Sequence, residues 1–366
     1  MSGGVEMKLN IVGNVFSQTG YAVHTRFLSE SLQDAGYDVA IESPKQSGWE
    51  TLCPDKMFKM LSKNYQREVS IMISTPEYYE VKWADNPKKL IGFCVSEGDV
   101  IPKYWLKHFE VCNQVWFPSK HCLGAALKTW PDNKPKDANW YIIPHGVDTT
   151  LFYPKVVKRD DKFTFLAVKG WAEGLHDRGG TQYLIKAFVE EFKEDEAVKL
   201  VVKVNRAYGS SKQLIEIWCK QLGIDKLPSN VELILNDIPY HNLVDLYNQA
   251  DVFVCATRGE GFNLPGLEAM ACGLPTLQTG FGGQLDYMTT TNSWSINYKL
   301  EEPTHNIMFE GIKWATPDHD DLKAKLRYCA GNQDMVKKKG IQALIDSKNW
   351  TWKNSAEKAK LALDKL

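Results

Sequence analysis

The strand–loop–helix–strand pattern at the start of the chain is the feature that most restricts the fold. Residues 8–12 form an apolar run typical of a buried strand, and a glycine-containing loop at residues 13–20 follows it. Residues 21–35 have their apolar side chains roughly on one side of a helix that Gly36 would end, and residues 38–41 form the next strand. Since strands joined through a covering helix run parallel, the pattern predicts a parallel sheet flanked by helices.

The same pattern begins again after a polar stretch at residues 154–162, which we interpret as a linker. The chain is therefore predicted to be an α/β protein of two doubly wound, Rossmann-like domains, 1–153 and 154–351, followed by an amphipathic helix at about 352–366. The cleft between two such domains facing each other is the expected ligand site. The remaining predicted strands are 69–74, 89–94, 114–118, 140–143, 163–169, 199–205, 231–235 and 251–256, and the remaining predicted helices are 181–192, 211–222, 241–250 and 265–272.

The balance of charges excludes a nucleic-acid-binding protein that relies on a broad basic face. The 366 residues include 44 Lys and Arg against 45 Asp and Glu, and neither half of the chain has a basic excess. A lysine-rich helix near residues 118–136 leaves local contact with an anionic membrane or a phosphate backbone open. No apolar run approaches the roughly 20 residues of a transmembrane helix, and the 8 cysteines lack metal-ligand spacing. We therefore predict a cytoplasmic protein with free thiols and no metal site.

Residues 251–275 carry the densest chemical signal. An apolar strand runs into a glycine-rich turn at residues 258–263, and a helix is predicted to begin at Pro265, where a missing backbone N–H matters least. Glu260 lies in the turn, and Glu268 is placed in the first turn of the helix. The N–H groups at that helix start are suited to an anion, and Glu268 beside them would accept hydrogen bonds from vicinal hydroxyls, as on a ribose. The alternative is that both carboxylates are exposed and stabilise the helix dipole.

The segment 260–275, EGFNLPGLEAMACGLP, resembles the EGFGLPxLEAMACGxP signature of the family-4 retaining glycosyltransferases. Other segments resemble elements of the same family in the same order, namely Gly20-Tyr21, 98–102, 116–119, 144–148 with Phe152 and Pro154, and 350–356. The resemblance implies the two-domain GT-B fold, in which the first domain is on the acceptor side, the second binds the nucleotide sugar, and the last helix packs back on the first. It also implies that Glu268 binds the ribose of the donor and that Glu260 contacts the transferred sugar.

The family's diphosphate-binding cations correspond to residues 168–179, where this sequence departs from the usual pattern. Arg178 stands where a Lys is usual, and Lys169 fits only after a shift of one residue. Fixed cations would stabilise the charge that develops on a departing nucleoside diphosphate, although a solvated loop charge is the alternative for each. The donor-binding residues implied by the resemblance are Glu268, Gly20, Gly261, Phe262, Asn263, Leu264, Gly282 and Gly283. Lys203, on the following strand, is a third candidate cation for the donor, and an ordinary strand-end charge is the alternative for it.

The acceptor side departs from the family as well. Glu97 lies where many relatives have a His, so it is expected near the acceptor, unless it only belongs to a helix N-cap network. Tyr21 and His145 are predicted acceptor-side residues, and a purely structural role is the alternative for His145. The predicted catalytic set is thus Glu260, Arg178, Lys169 and Glu97.

The resemblance implies a metal-independent, retaining glycosyltransferase that uses a UDP-, GDP- or ADP-sugar and no cofactor. The alternatives are an epimerase on the same fold, or a degenerate relative that binds a nucleotide sugar without turning it over. The acceptor stays open among a glycan, a lipid, a protein and a modified nucleic-acid base.

Overall fold

A computed structural model describes residues 7–43, 55–63, 68–79, 87–130, 139–204, 211–303 and 311–366. The chain divides into two compact units, residues 1–146 with 351–366 (unit 1) and residues 147–350 (unit 2). The sequence had placed the corresponding boundaries at 153/154 and 351/352. Of the lysine-rich segment predicted at 118–136, residues 131–136 lie outside the described residues.

Unit 1 is built on a six-stranded parallel sheet. The strand order is β2-β1-β3-β4-β5-β6, so the chain changes direction across the sheet between β1 and β3. The strands are β1 (Lys8–Gly13), β2 (Asp38–Glu42), β3 (Val69–Ile73), β4 (Lys89–Phe93), β5 (Gln114–Phe117) and β6 (Trp140–Ile142), and the helices are α1 (Gly20–Asp34), α2 (Asp55–Leu61), α3 (Leu106–Glu110), α4 (Lys120–Thr129) and α11 (Trp352–Leu363).

Local sequence signals set the first helix of unit 1. The hydroxyl of Thr19 caps the N-terminus of α1 by accepting from the amide of Ala22. Gly36, with φ +95°, follows the C-terminus, where a left-handed residue is expected. Helix α11 packs against α1, so the end of the chain covers the first helix.

Unit 2 contains a second six-stranded parallel sheet, with the order β12-β11-β10-β7-β8-β9. The change of direction lies between β7 and β10, so the loops that follow these two strands lie side by side. An antiparallel pair, β13 (Tyr298–Glu301) and β14 (Trp314–Pro317), stands apart from this sheet. The sheet strands are β7 (Phe163–Lys169), β8 (Val198–Val204), β9 (Val231–Ile234), β10 (Val252–Cys255), β11 (Thr276–Thr279) and β12 (Ser293–Ile296), and the helices are α5 (Thr181–Glu191), α6 (Lys212–Gln221), α7 (Leu243–Asn248), α8 (Leu264–Ala271), α9 (His319–Gly331) and α10 (Gln333–Ser347).

The predicted α/β class with two doubly wound parallel sheets is confirmed. Most predicted strands and helices differ from the observed ones by one or two residues. The helix predicted at 241–250 is shorter, because residues 240–242 form a 3₁₀ turn before α7 begins at Leu243.

Candidate functional site

The loops after β7 and β10 are joined along their backbones at the change of direction in unit 2. The amide of Arg258 donates to the carbonyl of Arg178 at 2.8 Å. Gly180 has φ +78°, and a Cβ on it would lie 1.8 Å from the carbonyl oxygen of Ala256. Only glycine permits both the conformation and the approach. The two loops therefore hold the side chains that they carry in a fixed relation.

Asp177 organises the loop that follows β7. Its buried carboxylate accepts from the amides of Ala172 at 2.7 Å, Glu173 at 3.1 Å and Gly179 at 2.6 Å. Three N–H donors on one carboxylate fold the loop around it. Because Arg178 is the next residue, Asp177 also fixes where the arginine side chain leaves the loop.

Glu260 unites the predicted cations. Its Oε1 accepts from Lys169 Nζ and lies 3.2 Å from a terminal nitrogen of Arg178. The hydroxyl of Thr257 lies 3.1 Å from the same oxygen. Lys169 is the last residue of β7, whereas Glu260 lies in the loop after β10, so the ion cluster spans the change of direction. We call Lys169, Arg178 and Glu260 the charge triad.

Burial and ion pairing act in opposite directions on the charge triad. Burial alone would raise the pKa of Glu260, but the positive charges of Lys169 and Arg178 lower it below its ordinary value. Burial alone would lower the pKa of Lys169, yet that pKa is raised by the negative charge around it. Cys255 has a pKa raised to about 11 by burial and is a neutral thiol near pH 7, so Glu260 is the effective anion. All three members of the triad are therefore charged at neutral pH.

Helix α8 begins one residue earlier than predicted. Asn263 precedes it with φ 67°, a left-handed conformation that Asn adopts more readily than most residues. The hydroxyl of Tyr287 donates to the carbonyl of Asn263 at 2.8 Å and the Asn263 amide donates to Gln278 at 2.6 Å. The helix thus starts at Leu264. The prediction that Glu268 lies in the first turn is wrong, because it is the fifth helical residue.

Glu268 is buried rather than exposed at the helix start. It is 3% exposed, and its two carboxylate oxygens accept hydrogen bonds from Tyr240 at 2.6 Å and Tyr247 at 2.7 Å. Burial raises the pKa of Glu268, and the two phenol hydrogen bonds oppose that rise. The alternative of two solvated carboxylates stabilising a helix dipole is therefore excluded for Glu268 as well as for Glu260.

The predicted glycine loop supports the loop of Glu260. The amide of Gly283 donates to the carbonyl of Glu260 at 2.7 Å. A Cβ on Gly283 would lie 1.8 Å from the carbonyl oxygen of Gly261, and Gly282, with φ +116°, also faces the Glu260 backbone. These glycines allow two loops to touch, and the Gly283 amide is already used within the protein.

The other predicted donor-binding residues of unit 2 lie around this loop. Phe262 is buried against the rings of Tyr287 and Trp350. Leu264 is the first residue of α8 and is buried. Lys203, near the end of β8, is buried and donates to the carbonyl of Val204 at 2.7 Å.

A second group of predicted residues belongs to unit 1. Gly20 and Tyr21 begin α1, and Glu97 lies in the loop after β4. Burial and then the negative charge of Glu97 raise the pKa of Tyr21 well above its ordinary value. Glu77, in a 3₁₀ turn after β3, contributes to the same effect and was not singled out from the sequence. These acidic and phenolic side chains lie beyond the carboxyl ends of β1, β3 and β4.

His145 lies within an aromatic cluster of unit 1. Its ring centroid is 4.4 Å from that of His24 and 5.7 Å from that of Phe93, and Trp352 stacks on His24. Burial lowers the pKa of His145 to about 3, and burial together with His145 lowers that of His24. Both rings are neutral at pH 7, which fits packing in the cluster.

Four residues that organise the site in unit 2 were missed from the sequence, namely Asp177, Tyr240, Tyr247 and Thr257. Asp177 had a local signal, because an Asp two residues before a glycine is common where loops turn on themselves. The two tyrosines precede Glu268 by 28 and 21 residues. Their contact with it depends on how α7 packs on α8, which no short motif encodes.

Among the residues that the structure describes, no helix is both long and apolar enough to cross a membrane. Within the same part of the chain, no three His, Cys, Asp or Glu side chains are grouped so that they could hold a metal ion.

The charge triad lies in a part of the chain that resembles a known protein family. The sequence profile described as Glycosyl transferases group 1 matches residues 169–299, a range that begins at Lys169 and includes the whole charge triad. A curated relative, the D-inositol 3-phosphate glycosyltransferase of Corynebacterium jeikeium (strain K411), is 27% identical over 153 residues, which are 39% of this chain and 36% of the relative. The chain thus matches little more than a third of that relative's length.

Solved structures extend the likeness in fold to nearly the whole chain. A sucrose-phosphate synthase of Thermosynechococcus elongatus has a TM-score of 0.72 at 16% identity and covers 98% of this chain and 99% of its own. HepE of Anabaena, solved in complex with UDP and glucose, has a TM-score of 0.67 at 13% identity and covers 99% and 100%. These likenesses confirm the predicted GT-B fold class.

Proposed function

We propose that this protein is a metal-independent, retaining glycosyltransferase that moves a sugar from a nucleoside diphosphate sugar to an acceptor hydroxyl. The observation that carries the proposal is the charge triad at the change of direction in the unit 2 sheet. Two cations there converge on one carboxylate, in the place where doubly wound sheets bind ligands. Glu268 adds a buried, hydrogen-bonded carboxylate on the adjacent helix.

The diphosphate of the donor would take over the cations that Glu260 now holds. A diphosphate carries more negative charge than one carboxylate, so it competes for Lys169 and for the planar guanidinium of Arg178. Glu260, released from both, would accept hydrogen bonds from hydroxyls of the transferred sugar. The same cations would then stabilise the charge that grows on the leaving group.

The transfer would proceed in a balanced exchange of bonds. The bond between the sugar C1 and the diphosphate oxygen breaks, and the diphosphate leaves with the electron pair. The acceptor oxygen bonds to C1 on the face that the diphosphate vacates, and the acceptor proton passes to the departing phosphate oxygen. Glu97 and Tyr21 would bind the acceptor in unit 1, and no cofactor takes part.

The donor is proposed to be a UDP-sugar in the first instance, because HepE, a protein of the same fold, was solved with UDP. The test is to incubate the protein with UDP-, GDP- and ADP-glucose and a panel of acceptors, and to measure release of the nucleoside diphosphate. We expect release that depends on an acceptor, is unaffected by EDTA, and gives a product whose anomeric configuration matches that of the donor.

One variant and two outcomes measured on the unaltered protein separate the alternatives. Glu260→Ala should retain nucleotide binding and lose turnover. If the unaltered protein binds nucleotide sugars but turns over none of them, it is a degenerate binder. If it converts the donor sugar to an epimer without an acceptor, it is an epimerase. Either result would overturn the transferase assignment.

A further inference from the structure

The carboxylate of Glu268 is fixed from both sides by phenols. Tyr240 donates to one oxygen at 2.6 Å and Tyr247 to the other at 2.7 Å. Tyr240 lies in the 3₁₀ turn before α7 and Tyr247 lies on α7 itself. Phe152 packs edge-on against both rings, with centroid distances of 5.3 and 5.8 Å, so the two phenols are themselves held in place.

Glu268 and Glu260 are therefore stabilised as buried carboxylates by different means. Glu260 is paired with two cations, whereas Glu268 makes no ion pair among the residues described here and depends on neutral donors. The titratable groups facing it are Tyr240, Tyr247, Tyr287 and Cys272. Lys339 of α10, the helix packed on α8, donates instead to the carbonyls of Thr290 and Ser293.

We propose that Tyr240 and Tyr247 are positioning residues that hold the Glu268 carboxylate in one plane as an acceptor for the ribose diol of the donor. The inference rests on the proposed function. Each carboxylate oxygen accepts one phenol and retains a further lone pair. Two parallel acceptor sites about one carboxylate width apart suit the 2′- and 3′-hydroxyls of a ribonucleotide. A 2′-deoxyribonucleotide would leave one of these sites unused.

Removing either phenol would make the Glu268 carboxylate a poorer hydrogen-bond acceptor, because it would favour the protonated form. A buried carboxylate that loses a donor becomes easier to protonate, and a protonated carboxyl presents an O–H where a lone pair is needed. Tyr247 is fully buried, whereas Tyr240 is partly exposed. Water can replace the Tyr240 hydroxyl more easily, so Tyr247→Phe should have the larger effect.

The experiment measures binding of UDP and of 2′-deoxy-UDP by calorimetry to the full chain and to Tyr240→Phe, Tyr247→Phe and the double variant. We expect the unaltered protein to prefer UDP, and Tyr247→Phe to bind UDP about tenfold more weakly, the loss of one charge-assisted hydrogen bond. Binding of 2′-deoxy-UDP should change much less, so the preference shrinks. UDP affinity of the variants should recover as the pH is raised, because Glu268 ionises again.

Kinetics and a control variant distinguish positioning from a structural role. With a donor sugar, the variants should raise KM and leave kcat near its original value. Tyr183→Phe, in α5 of the same unit and packed against the core, is the control and should bind both nucleotides normally. Equal losses for UDP and 2′-deoxy-UDP, or an unchanged preference in the folded double variant, would overturn the positioning role alone. Absence of binding of any nucleoside diphosphate to the unaltered protein would instead overturn the proposed function on which it rests.

Discussion

Replacing Glu260 by Gln tests whether Glu260 and a donor diphosphate compete for Lys169 and Arg178, the two cations of the charge triad. The side chains of Lys169 and Glu260 are 13% and 12% exposed, and that of Arg178 is 32% exposed. Breaking a buried ion pair by removing one partner costs about 3–5 kcal/mol. Because Gln keeps the volume and one acceptor, and Arg178 reaches water, we expect a loss of about 2–3 kcal/mol. For a unit of this size that loss corresponds to a fall of roughly 5–10 °C in Tm.

The informative measurement is the change in Tm when UDP is added. UDP would return an anion to the two cations and meet no competing carboxylate, so its stabilising shift should be larger in Glu260→Gln than in the unaltered protein, with a dissociation constant about tenfold lower. Glu216→Gln is the matched control, since the side chain of Glu216 is 57% exposed, and it should change neither quantity. A variant of unchanged Tm, or one in which UDP gives an equal or smaller shift, would refute the reasoning.

Three further predictions concern the supports of the site and the aromatic cluster. Gly283→Ala should lower the free energy of unfolding by about 3 kcal/mol in urea titrations, because the new Cβ would lie 1.8 Å from a carbonyl oxygen. The control Gly331→Ala, which has open space around it, should not lower it, and equal stabilities of the two variants would contradict the contact. Asp177→Asn loses acceptor sites for three loop amides and should raise the KM for the donor several-fold, with an unchanged KM as the contrary result. His24 and His145 have folded-state pKa values lowered by burial, that of His145 to about 3, so the unfolded chain binds more protons below about pH 6.5 and stability falls as the pH drops below that value. For His145 the fall is about 1.4 kcal/mol per pH unit between about pH 6.5 and about 3, and His24 adds to it in the same direction. His24→Phe should flatten the slope in urea titrations at pH 7.5 and 5.5, and an equal slope would show that the aromatic cluster is not its source.

The sequence predicts most of the strands and helices, but it does not predict which strands lie next to each other in the sheet. Hydrophobic periodicity predicted β7 and β10, and it placed Lys169 at the carboxyl end of β7 and Glu260 in the turn after β10. It did not predict that these strands are adjacent in the sheet, because strand order depends on packing between distant segments. The ion pair between residues 91 positions apart therefore followed only from the structure.

Glu268 shows a different kind of limit. The motif identified the residue, yet its predicted place in the first helical turn was wrong because Asn263 takes the left-handed conformation and starts the helix one residue early. Its burial depends on α7 and the preceding 3₁₀ turn, whose packing the local pattern does not encode. The sequence was enough to identify Glu268 as a candidate, whereas its protonation state and its hydrogen-bond partners depend on tertiary contacts.

The C-terminal helix that covers α1 has a consequence for how the chain is made. Unit 2 is inserted between the two segments of unit 1. A ribosome must therefore synthesise about 200 residues between β6, the last strand of the first sheet, and α11, the helix that covers α1. This takes roughly 10–40 s. During that interval Trp352, which stacks on Phe27 and His24 in the folded protein, has not yet been made. A nascent chain stalled inside unit 2 would therefore expose this face of α1 to chaperones.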